Sequence, residues 1–230
     1  MSEQENGGAA GYKLRLVVAK EGRSAYISHL DMMRTLTRAL ARAGVPLKHS
    51  EGFHQRAYLS LVRPLSLGYE SDGELCDIVL AQKCAPETLP ERLNRVLPEG
   101  IRVKAAFENA INGREIIWAR YEIFAELPEA CGDGMEKKLA ALWLAPDFSV
   151  MKRTKKGTYQ ETAAAEQIRS VEIEGAASGL KIAAVLKDAP DGGLNPSYLL
   201  AAAQEKLGFE PLLVRCRRTG FFNAAGEPVA

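Results

Sequence analysis

Two hydrophobic periods alternate along this chain in a fixed order, and that order restricts the fold more than any single motif does. From Tyr12 to Lys20, Leu14, Leu16 and Val18 fall on every second position, the pattern of a strand with one buried face. Glu21-Gly22 turns the chain. Ser28-His29-Leu30-Asp31 then carries a hydroxyl and an acid at N-cap spacing, so Ser28 can accept an orphan amide while Asp31 faces the positive end of the helix dipole. The predicted helix runs through Met33, Thr37, Leu40 and Ala41 and stops at Gly44 before Pro46. Leu59 to Pro64 reads as a strand, Gly68 to Gly73 as a turn and Leu75 to Leu80 as another short strand. A helix opened by Pro86 carries Leu89, Leu93 and Val96, and Ile101 to Phe107 closes the series as a strand. The order is β-α-β-β-α-β.

The second half gives the same order with an insertion. Ile116 to Leu127 is predicted as a strand, Gly134 to Leu144 as a helix and Phe148 to Lys152 as a strand. Arg153 to Glu161 forms a basic hairpin-like insertion around Gly157, and Ile168 to Ile173 is a β run whose pairing is open. Leu180 to Leu186 is a strand, Asn195-Pro196-Ser197 starts a helix capped by Gly208, and Pro211 to Arg217 is the last strand. The expected fold is α+β: two tandem ferredoxin-like (βαββαβ) domains at 12–110 and 115–222, joined around Asn109 to Glu115. Residues 1–11 and 223–230 are expected to be tails, the first of them disordered.

Composition narrows the function classes. The chain has 230 residues, 47% hydrophobic and 26% charged, which is enough apolar surface for one large domain or two compact ones. Thirty basic residues against 29 acidic give a net charge of +1, so an anion-binding surface has to be a local patch. The first residues hold no apolar signal core and no stretch reaches membrane-spanning length, so a cytoplasmic protein without a membrane partner is expected. Cys76, Cys84, Cys131 and Cys216 are too scattered for a metal or iron–sulfur motif and are expected to be free thiols. No phosphate-loop, dinucleotide-binding or His-Glu-x-x-His motif occurs, and no cofactor or metal is expected for the chain itself.

Positive charge is concentrated in one region. Arg34, Arg38 and Arg42 recur at i, i+4 and i+8, one ridge of the first helix roughly opposite its apolar stripe. Between Arg34 and Arg63 the basic residues Arg34, Arg38, Arg42, Lys48, Arg56 and Arg63 face a single acid, Glu51. A phosphate-bearing partner suits this pattern; a solvated helix face with an Asp31–Arg34 ion pair explains it equally. In Gly52-Phe53-His54-Gln55-Arg56 an aromatic stands between a glycine and an arginine, suited to stacking on a base and contacting a phosphate, unless Phe53 is a core anchor.

The three histidines, His29, His49 and His54, fall within a short stretch. Ser28, His29 and Asp31 make a poor catalytic triad, because adjacent residues at a helix start point in different directions. His49 and His54 with Asp77 could form a metal site only at a spacing that fits no regular element. His29 or His54 could serve as a general acid or base, and a structural role for Ser28, His29 and Asp31 is the simpler expectation.

Tyr26-Ile-Ser-His-Leu-Asp-Met-Met-Arg34, Arg38-Ala-Leu, Arg42-Ala-Gly-Val-Pro-Leu47, Ser50-Glu-Gly-Phe-His54 and Leu65-Ser-Leu-Gly68 together resemble the bacterial radical-SAM-linked family, a domain of unknown function. Leu194-Asn-Pro-Ser-Tyr-Leu-Leu200 and Arg217-Arg-Thr-Gly-Phe221 resemble its C-terminal signature, so the likeness covers about residues 12 to 222. The resemblance implies a domain that stands alone or is joined to a radical S-adenosylmethionine protein, often encoded near RNA-processing and ribosomal genes. The family's loop usually reads Gly-Phe-x-Pro-Arg-Pro; here Gln55 and Ala57 replace both prolines, which leaves the loop less rigid. Without a cluster-binding cysteine triplet, the chain is not expected to run radical chemistry itself.

Three functions follow as expectations. The first is a non-catalytic module that binds RNA or a ribonucleoprotein through Arg34, Arg38, Arg42, Phe53, His54, Arg56 and Arg63, for a separate radical SAM enzyme. The second is a metal-independent RNA endonuclease using His29 or His54, by fold-level similarity to CRISPR repeat-processing endoribonucleases. The third is a protein-interaction adaptor whose basic ridge meets an acidic partner.

Overall fold

The computed structural model describes residues 11–108, 112–128, 134–153 and 157–229. The chain is α+β, with a large mixed sheet and four α-helices among the described residues. It divides into two compact units, Met1–Pro64 with Glu74–Ala110, and Leu65–Gly73 with Ile111–Ala230. The expected N-terminal tail up to residue 10, and Asn109 to Ile111 of the expected linker, lie outside the described residues.

The first unit contains β1 (Tyr12–Lys20), α1 (His29–Arg42), β2 (Leu59–Leu61), the larger part of β3 (Glu70–Leu80), α2 (Leu89–Asn94) and β4 (Ile101–Glu108). Its sheet runs β4-β1-β3-β2, with β1–β4 and β2–β3 antiparallel. Leu14, Leu16 and Val18 pack with Cys76, Ile78 and Leu80 against Met32, Leu36, Ala39 and Leu40 of α1 and Leu89 and Leu93 of α2. The buried stripe of α1 therefore lies one residue earlier than Met33, Thr37, Leu40 and Ala41. Both registers offer i, i+4, i+7 and i+8, but only the observed one places Leu36 rather than Thr37 in the core. Arg15 on the opposite face of β1 is 1% exposed and makes a two-pronged ion pair with Asp77 of β3, at 2.6 and 2.9 Å.

The second unit contains β5 (Trp118–Glu126), α3 (Met135–Trp143), β6 (Ser149–Arg153), β7 (Tyr159–Ala163), β8 (Ile168–Ala176), β9 (Gly179–Ala189), β10 (Gly192–Gly193), α4 (Pro196–Leu207) and β11 (Leu213–Phe222). Its main sheet runs β11-β5-β9-β8, each neighbouring pair antiparallel, and β10 adds to β9. The open pairing of Ile168 to Ile173 is thereby settled: this run is the start of β8 and pairs with β9. Of the insertion expected at Arg153 to Glu161, residues 154–156 lie outside the described residues; Arg153 ends β6 and Tyr159 starts β7, and these two strands pair as a separate two-stranded sheet. Gly68 to Gly73 is not all turn, since β3 starts at Glu70, where Glu70 and Ser71 pair in parallel with Arg217 and Arg218 of β11. Alternation on β5 and β9 buries Ala119, Tyr121, Ile123 and Ala125 with Leu180, Ile182, Ala184 and Leu186. α3 contacts β8 and α4, and the Trp143 indole N–H donates to the Leu199 carbonyl at 3.1 Å.

Candidate nucleic-acid interface

Helix α1 starts where its cap chemistry places it. Ser28 Oγ accepts from the Asp31 amide at 3.1 Å and donates to Asp31 Oδ2 at 2.7 Å. The Ser28 hydrogen bond, followed by that of Arg34, holds the Asp31 carboxyl below its ordinary range. Arg34, Arg38 and Arg42 are exposed along one side of the helix, away from the stripe that begins at Met32. The three are not equivalent. Arg34 pairs with Asp31 at 3.1 Å, and Arg42 donates to the Val96 carbonyl at 2.8 Å beyond the end of α2. Arg38 makes no hydrogen bond or ion pair among the described residues. It lines, with Thr35, Arg42 and Val96, a shallow cleft of about 260 Å³.

The segment after α1 forms a loop tied at its base. His49 and Ala57 form an isolated antiparallel bridge, the Ser50 amide donates to the Arg56 carbonyl at 2.9 Å, and the Arg56 amide donates to Ser50 Oγ at 3.0 Å. Glu51 to Arg56 are exposed, and Phe53 is 102% exposed, so the core-anchor alternative for this ring is excluded. Its only ring contact among the described residues is edge-on to His54, 6.2 Å between centroids. Arg63 donates to the Val62 carbonyl at 3.0 Å. No hydrogen bond, ion pair or ring contact joins Arg34, Arg38 and Arg42 to Phe53, His54 and Arg56 among the described residues.

Among the described residues no hydrogen bond or ion pair joins His29, His49 and His54 to one another. His29, His49 and His54 are exposed, and the Ser28 hydroxyl is engaged with Asp31 rather than with His29. His49 Nδ1 lies 3.1 Å from the Leu47 carbonyl oxygen. Asp77 is committed to Arg15, and no group of three or more His, Cys, Asp or Glu among the described residues is arranged to hold a metal ion. Cys76, Cys84 and Cys216 are free; Cys131 lies outside the described residues. No described helix is long and apolar enough to cross a membrane.

The sequence reading passed over a polar junction in the second unit. Asn195 caps α4 by accepting from the Ser197 amide at 2.9 Å; the same Oδ1 accepts from the Tyr69 hydroxyl at 2.8 Å, while Nδ2 donates to Ser66 Oγ at 2.8 Å. Arg217 grips Glu70 at 2.7 Å and Asp72 at 2.9 Å, and the Glu70 hydrogen bond in particular raises its pKa. Buried Arg218 pairs with Asp188 at 3.0 Å and stacks on Phe221 at 4.6 Å. Burial pushes the Tyr69 and Tyr121 hydroxyls up and the Cys216 thiol up to about 12, so none of the three is a reactive anion near neutral pH. Ser66 and Asn195 thus tie Leu65–Gly68 to Leu194–Leu200, while Arg217 of the Arg217–Phe221 segment is tied to Glu70 and Asp72. A signal was present in the sequence, namely an Asn-Pro-Ser helix start, but nothing local identified Tyr69 as its partner.

Residues 13–196 match the family described as uncharacterized protein conserved in bacteria (DUF2344), and the chain belongs to that family. No curated protein matches it.

Proposed function

We propose that this bacterial protein is a non-catalytic RNA-binding module in which the first unit grips single-stranded RNA, with α1 contacting phosphates and Phe53 stacking on a base. The observation that carries the reading is the fully exposed Phe53 ring on a loop closed at its base, flanked by His54 and Arg56. An apolar ring held wholly in water is unfavourable by roughly 2 kcal/mol relative to burial, and a base supplies a flat apolar face that covers it. Arg38 and Arg56 bring side-chain charge that no carboxylate neutralises among the described residues. The architecture we assign is a tandem of ferredoxin-like units, supported by the element order of the first unit and by the strand orders β4-β1-β3-β2 and β11-β5-β9-β8. A radical SAM enzyme as working partner, a ribonucleoprotein as the RNA's context and a cytoplasmic setting rest on the sequence resemblance and composition.

The test is binding of a labelled single-stranded RNA pool across a salt series. Log affinity is expected to fall with log salt at a slope of about −2, as for some three phosphate contacts. Phe53→Ala should weaken binding about tenfold with the slope unchanged, and Arg38→Ala should reduce the slope by about 0.7. His29→Gln should cost at most about 1 kcal/mol of stability and leave affinity intact, because Ser28 and Asp31 complete the cap without it. Binding with no salt dependence and no response to Phe53→Ala would refute the reading. Metal-independent RNA cleavage abolished by His29→Gln would replace it with the endonuclease.

A further inference from the structure

The second unit holds a cleft of about 320 Å³, within the range of small-ligand sites, lined by Arg120, Arg169, Ser170, Val185, Phe222 and Gly226. Two guanidinium groups and no carboxylate stand among the described residues that line it. Strand register brings them together. Gly220, Arg120, Val185 and Ser170 lie side by side on β11, β5, β9 and β8, and Phe222, Trp118 and Lys187 form the row on one side of them. Arg169 is the extra residue of a β-bulge, since Ile168 pairs with Leu186 and Ser170 with Val185. Arg169 and Ser170 are both exposed between half-buried Ile168 and Val171, so the bulge gives the cleft a guanidinium and a hydroxyl from adjacent positions.

The Arg169 guanidinium is held in place by the chain itself. Residues 223–229, expected as a tail, fold back in a turn where the Gly226 amide donates to the Asn223 carbonyl at 3.0 Å and Phe222 bridges to Pro228. Arg169 Nη2 donates to the Ala225 carbonyl at 3.2 Å, and its Cζ stands 5.7 Å from the centre of the Trp118 ring. A Cβ on Gly226 would lie 2.7 Å from Arg169 Cζ, so a side chain there displaces the guanidinium, and the φ of +91° favours glycine as well. Arg169 makes no other hydrogen bond and no ion pair among the described residues, and Arg120 makes neither. The backbones of β5 and β8 flank β9 about 10 Å apart, and Arg169 leans toward β5, as its contact with Trp118 shows.

The neighbouring acids do not neutralise the pair. In the row on the other side of Arg120 stand Arg217, Glu122, Ala183 and Glu172, with Arg217 bound to Glu70 and Asp72. Asp191 pairs with Lys187 at 3.2 Å, and Glu227 accepts from Asn223 Nδ2 at 2.8 Å. None of these carboxylates pairs with Arg120 or Arg169 among the described residues. Two like charges in one cleft repel, and an anion that touches both relieves the repulsion. A carboxylate has two coplanar oxygens, which a single guanidinium satisfies; a phosphate monoester has three terminal oxygens and close to two negative charges, enough for both arginines and the Ser170 hydroxyl. Glu122 and Glu172 repel extension of an anion toward their row, while Val185 and Phe222 offer apolar surface to its organic part. We propose that this cleft binds a phosphate monoester with a compact apolar body, its phosphate on Arg120, Arg169 and Ser170. The inference goes beyond the RNA-binding reading and does not rest on it.

Calorimetric titration of the full chain with phenyl phosphate and with benzoate, at one salt concentration, tests the cleft. Phenyl phosphate is expected to bind about tenfold or more tightly than benzoate. Arg120→Gln and Arg169→Gln should each weaken phenyl phosphate about tenfold, the loss of one charge-assisted contact. Thermal unfolding of Arg120→Gln should be unchanged, because this side chain holds no other part of the fold. Gly226→Ala keeps both charges but displaces the Arg169 guanidinium and should weaken binding severalfold; should that variant unfold, Arg169→Gln still reads the site. Phe53→Ala in the first unit should leave phenyl phosphate binding unaltered. A 5′-hydroxyl oligonucleotide, whose phosphodiesters carry a single charge each, should not displace phenyl phosphate. No binding of phenyl phosphate, equal affinity for benzoate, or binding indifferent to both arginine substitutions would overturn the proposal. Displacement by the 5′-hydroxyl oligonucleotide would overturn the monoester assignment.

Discussion

At Ser28 one hydroxyl does two tasks that are read by different measurements. It caps α1 through the Asp31 amide and donates to the Asp31 carboxylate. Because the Asp31 pKa is lowered in the folded chain, its contribution is fully present above the ordinary carboxylate value near 4 and is lost as pH falls through the lowered folded value. Ser28→Ala should cost about 1 kcal/mol at neutral pH, and nuclear magnetic resonance titration should show the Asp31 carboxyl moving upward. An unmoved Asp31 would show that Arg34, not Ser28, sets it. The thiols give a second residue-scale test: Cys76 and Cys216 are buried with raised pKa values, while Cys84 is partly exposed and receives an Arg92 hydrogen bond at 3.2 Å. Mass mapping after alkylation of the native chain at pH 8 should find Cys84 modified well before Cys76 and Cys216. At this scale the Ser28 cap was legible in the sequence, because it depends on neighbours three residues away. The exposure of Phe53 was not, because hydrophobicity alone argues for burial and only the closure of the loop by residues 49, 50, 56 and 57 turns the ring outward.

Among the elements, β1 and α1 were readable because their periods are local, and even the one-residue error on α1 reduces to Leu36 against Thr37. Long-range pairing was not readable. Tyr69 meets Asn195 across 126 positions and Asn195 meets Ser66 across 129, and no periodic signal connects such segments. The start of β3 was missed for the same reason, since Glu70 and Ser71 are strand only through their pairing with β11. The ion pair that ties β1 to β3 is a demanding contact of this class: Arg15 is 1% exposed and Asp77 31%. Asp77→Asn strands a buried guanidinium, and chemical denaturation should register a loss of about 3 kcal/mol, the low end for such pairs because Asp77 still reaches water. Replacing Arg15 and Asp77 together by methionine and leucine should recover most of that loss. A double variant as unstable as the single one would show that packing around Arg15, rather than its charge, decides.

For the whole molecule, a net charge of +1 hides an uneven distribution of charged and aromatic side chains. The first unit carries the exposed α1 arginines and an aromatic loop, while the second carries a cleft lined by Arg120 and Arg169. RNA binding by the first unit should depend on salt and little on sequence. The central claim is that Phe53 meets a base, and ultraviolet crosslinking of the full chain to single-stranded RNA, followed by tryptic digestion and mass mapping, reads that contact directly. Cleavage after Lys48 and Arg56 isolates the peptide from His49 to Arg56. A nucleotide adduct on that peptide, lost in Phe53→Ala, is the predicted result; RNA binding whose crosslinks all map elsewhere would contradict it.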